Sequence, residues 1–128
     1  MPSANSDPLT GVANRRGFEE YANTQLAKSN AGEPLSLVVL DIDSFKTIND
    51  EIGEAGGDQL LRDVGQLLNR YALGAGFVAR FGGDEFEILM RCSLGQASAF
   101  AEFLRDQISS HEFIFGAESI HITASLMK

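Results

Sequence analysis

The strongest local signal in the sequence is a pair of glycines followed by two acids, Gly82-Gly83-Asp84-Glu85, between two short runs of alternating apolar residues. Alternation with a period of two is typical of strands, and a Gly-Gly pair favours the tight turn of a β-hairpin. We therefore predict two antiparallel strands with carboxylates at their tip. Such a tip suits Mg²⁺, which uses one or two protein carboxylates and takes its other oxygens from water and phosphates. A hairpin with solvated charges is the alternative for this motif taken by itself.

Length and composition limit the class of protein. The chain has 128 residues, of which 44% are hydrophobic, enough for one two-layer domain. A single cysteine, Cys92, predicts no intrachain disulfide and favours a reducing cytoplasm. No apolar run approaches the about 20 residues of a membrane-spanning helix. The formal net charge of -8 argues against nucleic acid as a partner. It does not exclude a nucleotide, because a metal held by carboxylates can offset phosphate charge.

Hydrophobic periodicity predicts the remaining elements. Residues 1–6 are expected to be a disordered terminus or a cloning remnant, and one domain is expected to span 7–128. A central strand covered on both faces is predicted at 35–41, and a C-terminal hairpin at 113–115 and 119–126. Helices are predicted at about 14–28, 45–52, 58–71 and 96–109, with Asp58 as the N-cap of the third.

This order of elements predicts an α+β, two-layer fold with a split βαβ sheet of the ferredoxin-like kind. In that topology the first strand and the hairpin are neighbours, so Asp41 and Asp84 should converge. Two acids from separate strands suit metal-assisted phosphoryl or nucleotidyl transfer. Asp41 is expected to be a buried acid that needs a metal for compensation. Asp43 is expected to leave the core, and either it or Ser44 to cap the following helix.

Five motifs, in this order and at this spacing, resemble the GGDEF domain of diguanylate cyclases. They are Asp7-Pro8-Leu9-Thr10-Gly11 with Asn14-Arg15-Arg16, the stretch from Asp41 to Asp50, Gly57-Asp58, the stretch from Arg80 to Phe86, and Thr123-Ala124-Ser125. The resemblance implies an antiparallel, adenylyl-cyclase-palm-like sheet with flanking helices. It also implies a bacterial signalling domain that condenses two GTP to cyclic di-GMP and pyrophosphate, with one half-site on each copy of a homodimer.

The resemblance further implies a metal site and a catalytic pair of acids. Asp41, Asp84 and the Ile42 carbonyl would hold two Mg²⁺ or Mn²⁺ ions in each half-site. Asp84 and Glu85 would be the catalytic residues. Glu85 would either assist at the metal or deprotonate the 3′-hydroxyl group of GTP.

Apart from guanine recognition, binding of the nucleotide is implied at two more places. Phosphates would lie along the main chain of Ser44 and Phe45, with Lys46 nearby, and Gly82 and Gly83 would leave room for the nucleotide.

Asn49 and Asp58 would recognise guanine. A carboxylate can accept hydrogen bonds from N1–H and the exocyclic amine of guanine, a pair of donors that adenine lacks. The alternatives are a helix-surface amide for Asn49 and an N-cap for Asp58.

Three departures from the family pattern limit these expectations. Glu54 stands where the family often has His, and Leu73-Gly74-Ala75-Gly76 replaces the Arg-x-x-Asp motif of product inhibition, so no such site is expected. The sequence ends at Lys128, where the family continues with a helix that carries basic phosphate ligands. The alternative function is therefore a catalytically weak or inactive module that binds GTP or cyclic di-GMP, or dimerises. A general palm-like polymerase or nucleotide cyclase is a third possibility, and no regulatory sensor domain is expected within this chain.

Overall fold

The computed structural model describes residues 4–28, 34–115, 118–120 and 122–127. Within these residues the chain forms three helices and six strands. In chain order they are α1 (Arg15–Lys28), β1 (Ser36–Ile42), α2 (Phe45–Ala72), β2 (Gly76–Gly82), β3 (Glu85–Met90), α3 (Leu94–Ser110), β4 (Phe113–Phe115), β5 (Glu118–Ile120) and β6 (Ala124–Met127).

The main sheet has four strands in the order β2-β3-β1-β6. Strand β3 is antiparallel to both β1 and β2, and β6 is antiparallel to β1. Strands β1 and β2 therefore run in the same direction, with β3 between them and α2 as their crossover. This is the predicted split βαβ arrangement, and the α+β, ferredoxin-like fold is confirmed.

The hydrophobic core lies on one face of this sheet. Val38 and Leu40 of β1 and Phe86 and Ile88 of β3 are fully buried there, together with apolar residues of α2 and α3. Along β1 the buried residues alternate with half-buried or exposed ones. The expectation of a strand covered on both faces is therefore wrong. Antiparallel sheets commonly keep one face partly open, and in this chain α1 packs against the β2 side of the sheet.

Helix α2 is kinked once, at Gly53, where φ is 82° and ψ is 168°. The predicted break over residues 53–57 is too long, because residues 54–57 are helical and Asp58 lies inside the second half of the helix. The prediction of Asp58 as an N-cap is therefore wrong. Glycine is compatible with helix as well as with turns, so a glycine-rich stretch does not by itself end a helix. None of the described helices combines the length and the apolar character needed to cross a membrane.

Helix α3 begins slightly earlier than the apolar periodicity predicts. Ser93 is its N-cap and forms a capping box with Gln96. The Gln96 N–H donates to the Ser93 hydroxyl at 3.2 Å, and the Ser93 N–H donates to the Gln96 side chain at 3.1 Å. These bonds satisfy two donors that would otherwise lack partners at the helix start. The cap, not the first apolar residue, sets where this helix begins.

The C-terminal strands are divided differently from the prediction of one hairpin. Strand β4 pairs with β5 as a separate two-stranded sheet, whereas β6 pairs with β1. Between them Ile122 is only 3% exposed and belongs to the core. Alternation along a sequence predicts extended structure, but it does not identify the partner strand. Pairing with β1 gives β6 a place in the main sheet.

The N-terminal segment belongs to the fold from residue 4 onward. Residues 4–6 are ordered and not disordered as one of the two expectations had it, while residues 1–3 lie outside the described part of the chain. The Asn14 side chain donates to the carbonyl of Ala4 at 2.9 Å. Ala13 forms an isolated bridge with β2. The segment thus covers part of the outer edge of β2, where unpaired backbone groups would invite association.

Candidate functional site at the hairpin tip and the kinked helix

Gly83 and Asp84 form the hairpin tip, a two-residue turn that joins β2 to β3. Two glycines there have positive φ, 128° at Gly82 and 52° at Gly83, a region that residues with a Cβ rarely adopt. A Cβ at either position would meet no atom within 4 Å. Backbone conformation, and not crowding inside the protein, therefore requires glycine. The predicted hairpin with acids at its tip is confirmed, and the space beside its glycines is open.

Asp41 lies at this tip because β1 pairs with β3 in a register that places it directly opposite Glu85. Its pKa is raised by partial desolvation and then by repulsion from Asp84, Glu85 and Asp43. Because Asp84 immediately precedes Glu85 in the turn, this register agrees with the predicted convergence of Asp41 and Asp84. The expected burial of Asp41 is wrong, because the residue is exposed. It lies on the sheet face opposite the core, where α2 and α3 do not cover it.

Another acid of the hairpin, Glu87, is missed by sequence reasoning. It follows Glu85 on the same face of β3 and is only 9% exposed. Burial raises the pKa of Glu87 to about 7, a hydrogen bond with the Glu85 side chain and repulsion from it act in the same direction, and Arg15 opposes them. Protonation of one carboxyl group allows two acids to share a hydrogen bond. Strand alternation predicts which face Glu87 occupies, but no local pattern in the sequence indicates its burial.

Arg80 connects the hairpin tip to the N-terminal turn, a link that sequence reasoning also misses. Its Nη1 donates to the two carboxylate oxygens of Asp7, at 3.1 and 3.3 Å. Its Nε donates to the carbonyl of Gly83 at 2.9 Å. The Arg80 and Asp7 side chains are only 14% and 13% exposed. Arg80 and Asp7 lie in recognisable motifs, but only the fold shows that the Arg80 guanidinium group links Asp7 to the carbonyl of Gly83.

Helix α1 packs against the hairpin near its tip. Phe81 contacts Phe18 edge-on, with ring centroids 5.1 Å apart, and the Arg15 guanidinium lies 5.0 Å from the Phe81 centroid. Farther along β2, Tyr21 stacks on Phe77 at a centroid distance of 4.0 Å. The turn is therefore supported by aromatic packing as well as by the Arg80 hydrogen bonds. Such support restricts the positions that the acids at the tip can take.

The loop from β1 to α2 carries the predicted phosphate-binding residues. Ser44 occupies the N-cap position in a left-handed conformation, with φ 57° and ψ 31°, and its side chain makes no capping bond. Asp43 precedes the N-cap residue, and its carboxylate accepts from the Thr123 hydroxyl at 2.8 Å. Ser44 is therefore at the expected N-cap position but lacks the expected side-chain bond. The first-turn N–H groups, including those of Phe45 and Lys46, lack acceptors within the helix and remain available close to the acids.

Asn49 and Asp58 lie on either side of the kink in α2, and both are half-buried. The Asn49 side chain contacts Gly57, the residue before Asp58. The kink therefore brings Asn49 against the residue that immediately precedes Asp58. Because Asp58 is inside the helix, its carboxylate is not needed to cap it.

The residues at the tip fit a Mg²⁺ ion. Carboxylate oxygens are the ligands that this ion prefers, and a cation would relieve the repulsion that raises the pKa of Asp41. The Ile42 side chain is 2% exposed, so only its main chain could take part. Within the described ranges, no three acidic, His or Cys side chains form a metal cage. Mg²⁺ does not require one, because it completes its coordination with water and phosphate oxygens.

Two open grooves lie elsewhere on the molecule. One, of about 640 Å³, is lined by Asn5 and Tyr21 among others. The second, of about 350 Å³, includes Gly74 and Arg91. Neither is lined by the acids of the hairpin tip or by Asn49. The size of a groove is therefore not what identifies the candidate site in this protein; the clustering of acids is.

Comparison with known sequences agrees with this geometry. The family profile described as "Diguanylate cyclase, GGDEF domain" matches residues 4–126. Diguanylate cyclase DgcP of Pseudomonas aeruginosa is 40% identical over 122 residues, which are 94% of this chain and 18% of DgcP. Diguanylate cyclase A of Treponema denticola is 32% identical over 108 residues, which are 84% of this chain and 29% of that protein. The chain thus spans less than a third of either curated relative.

Solved structures show the same fold. The GGDEF domain of DgcB from Caulobacter crescentus, determined in complex with c-di-GMP, has a TM-score of 0.90 at 34% identity, covering 98% of this chain and 77% of that one. The diguanylate cyclase SiaD of Pseudomonas aeruginosa, determined with its activator SiaC, has a TM-score of 0.89 at 31% identity, covering 98% and 49%. The profile, the relatives and the shared fold confirm what the motifs indicate: this chain belongs to the GGDEF domain family of diguanylate cyclases.

Proposed function

We propose that this domain is a diguanylate cyclase that condenses two GTP molecules to cyclic di-GMP and releases two pyrophosphates. The observation that carries the proposal is the register of β1 and β3, which places Asp41 beside the acids of the hairpin tip. Carboxylates from two strands can hold cations against a polyphosphate at such a point. Family membership supports the proposal, since two relatives at 40% and 32% identity are named diguanylate cyclases.

The metal site consists of Asp41, Asp84 and the Ile42 carbonyl, holding two Mg²⁺ or Mn²⁺ ions in each half-site. When bound, the ions polarise the phosphate and offset the charge that develops during transfer. The protein keeps its carboxylates in place before substrate arrives. Strand pairing positions Asp41, and the hydrogen bond from Arg80 to the carbonyl of Gly83 restrains the turn that carries Asp84.

The reaction requires two transfers. The 3′-hydroxyl of one GTP attacks the α-phosphorus of the other, a P–O bond forms, and the bond to pyrophosphate breaks; the second transfer closes the ring. Glu85 assists at the metal or accepts the hydroxyl proton. A hydrogen bond with Glu87 orients the Glu85 carboxylate. The open space beside Gly82 and Gly83 lets the nucleotide approach the turn.

Two parts of α2 bind the rest of the nucleotide. The main chain of Ser44 and Phe45, together with Lys46, binds phosphates, because a helix N-terminus presents free N–H groups to anions. Asn49 and Asp58 bind guanine. The Asp58 carboxylate accepts from N1–H and the exocyclic amine, and ATP offers no such pair of donors.

Two copies of the domain act together in this proposal. The product contains two identical nucleotide halves, so an antiparallel homodimer that carries one GTP on each copy brings equivalent groups face to face. A sensor or partner protein would then regulate turnover by changing how often the copies meet. We assign this activity to the bacterial cytoplasm, because its proposed substrate, GTP, is an intracellular nucleotide.

Incubation of the protein with GTP and Mg²⁺, followed by mass spectrometry, tests the proposal. We expect cyclic di-GMP and pyrophosphate in a ratio of one to two, no product without metal, and none from ATP. Binding of GTP without product would favour the binding or dimerisation module. If the protein neither bound GTP in the presence of Mg²⁺ nor formed product, the proposed function would be wrong.

A further inference from the structure

The kink in α2 creates a contact between residues that a straight helix would keep apart. Asn49 and Gly57 are eight positions apart, and an unbroken helix would separate them by about 12 Å along its axis. In this chain a Cβ placed on Gly57 would lie 1.8 Å from the Asn49 Oδ1 and 2.9 Å from its Cγ. The Asn49 amide therefore occupies the space that any side chain at position 57 would need.

Gly57 has no backbone reason to be glycine. It is helical and does not have positive φ, unlike Gly53 at the kink. Within a helix, glycine is less favourable than alanine by about 0.5–1 kcal/mol. Gly57 is also buried, so solvent exposure does not explain why the position is occupied by glycine. The absence of a side chain at position 57 is what leaves space for the Asn49 amide.

We propose that Gly57 is a positioning residue for nucleotide specificity, because it lets the Asn49 amide lie beside Asp58. The inference rests on the proposed role of Asn49 and Asp58 in guanine binding. It adds that the orientation of the amide depends on the absence of a Cβ at position 57. The clashing atom is the end of a rotatable side chain, so an added methyl group displaces the amide without unfolding the helix.

The variant Gly57→Ala separates this role from a role in stability. We expect the ratio of GTP to ATP affinity, measured by calorimetry with Mg²⁺, to fall about tenfold, as for the loss of roughly one hydrogen bond. The unfolding temperature should stay equal or rise, because alanine favours helix. In spectra of the nucleotide-free protein, the Asn49 side-chain amide resonance should move.

Gly56→Ala is the matched control. It also replaces a helical glycine, but its methyl group would press on the Ile52 side chain, 2.8 Å from the nearest carbon, and not on Asn49. We expect it to leave the nucleotide preference and the Asn49 resonance unchanged. In an Asn49→Ala background, Gly57→Ala should have no further effect on the preference, because the group that it displaces is already missing.

The outcomes distinguish this inference from the proposed function. An unchanged Asn49 resonance in Gly57→Ala, or a nucleotide preference within twofold of the parent, would overturn the positioning role. The positioning role would also be overturned if Gly57→Ala lowered the preference for GTP as much in the Asn49→Ala background as it does in the parent. If the parent did not prefer GTP over ATP, the proposed function would fail, and the resonance would still decide whether Gly57 orients Asn49. Should Gly57→Ala not fold, Asn49→Ala/Gly57→Ala must fold, and its failure would contradict the explanation.

Discussion

The hairpin tip and the kinked helix α2 bring their polar residues together in different ways. At the tip, Asp41 and Glu85 come from distant parts of the chain and meet because two strands pair in one register. In α2, Asn49 and Asp58 are close in sequence, and a single glycine with positive φ between them turns the helix. The tip depends on tertiary packing, whereas the helix site depends on local backbone conformation.

The two regions also differ in their electrostatics. Acids at the tip repel one another and raise the pKa of Asp41, and a shielded ion pair between Arg80 and Asp7 restrains the turn. In α2 the two groups are an uncharged amide and a carboxylate at a half-buried position. Charge changes should therefore act strongly at the tip, while changes of shape should act strongly in the helix.

The largest expected effect is on turnover, from Asp84→Asn. Loss of one carboxylate removes a metal ligand, and we expect turnover to fall more than about a hundredfold. The unfolding temperature should not fall, because the change relieves repulsion with Asp41. Product formation and thermal unfolding measure the two effects. Turnover within about threefold of the parent would show that Asp84 is not a metal ligand.

A second change, Arg80→Ala, tests how far the hairpin tip depends on the contacts of Arg80 with Asp7 and with the carbonyl of Gly83. It leaves the Asp7 carboxylate without its guanidinium partner, and we expect the free energy of unfolding in urea to fall by about 2–3 kcal/mol. Amide exchange at residues 82–85 should also accelerate. The unfolding free energy of Arg80→Lys should lie between those of the parent and Arg80→Ala, because one ammonium group cannot replace both donors of the guanidinium group.

Arg105→Ala is the control for this change. Arg105 pairs with Glu102, but the two side chains are 41% and 52% exposed. Exposed pairs contribute less than about 1 kcal/mol. Equal losses of unfolding free energy in Arg80→Ala and Arg105→Ala would mean that the shielded contacts of Arg80 stabilise the fold no more than an exposed ion pair does.

Glu87→Gln sharpens the electrostatic side of the comparison. The pKa of Glu87 is raised from 4.5 to about 7, so its contribution to stability is fully present below pH 4.5 and is lost as the pH rises through 7. Without divalent metal, the parent should therefore lose stability between pH 5 and 8. The variant cannot ionise there, and at pH 8 it should unfold at least about 3 °C higher than the parent.

The exposed Glu51 provides a matched control, Glu51→Gln, which should keep the pH dependence of the parent. Thermal unfolding across this pH range, with chelator present, measures both variants. A parent whose stability did not decline from pH 5 to 8 would contradict the assigned burial of Glu87.

The smallest expected effect on stability is that of Asp58→Ala. Because Asp58 lies within α2, no cap is lost, and alanine should leave stability equal or slightly higher. The GTP to ATP affinity ratio should still fall about tenfold. Asp50→Ala, at an exposed position of the same helix, serves as the control. Equal loss of GTP and ATP affinity would exclude guanine recognition by Asp58.

Several features of the site could be predicted from short-range patterns. The Gly-Gly pair and the flanking alternation predicted the hairpin, because turn conformation and strand periodicity are properties of neighbouring residues. The convergence of Asp41 with Asp84 followed from topology, since few arrangements fit this order of elements. The resemblance to the GGDEF family rested on motif order, and the family comparison confirmed it.

Other features depended on contacts that no local pattern encodes. Glu87 looks like any outward-facing acid of a strand, but the structure buries it and pairs it with Glu85. Asp58 follows a stretch with three glycines, Gly53, Gly56 and Gly57, and propensity alone therefore placed a helix start there. Packing overrode that preference, since Gly57 contacts Asn49 and continues the helix.

The sequence by itself determined the alternating hairpin and the acid turn, because neighbouring residues encode both, and it determined the family through the order of five short motifs. Only the tertiary structure decided that β6 pairs with β1 and that Arg80 reaches both Asp7 and Gly83. The physical reason is the separation along the chain over which each kind of interaction acts. Backbone preferences act over a few residues, whereas strand register, burial and shielded ion pairs are set by which distant surfaces exclude water together.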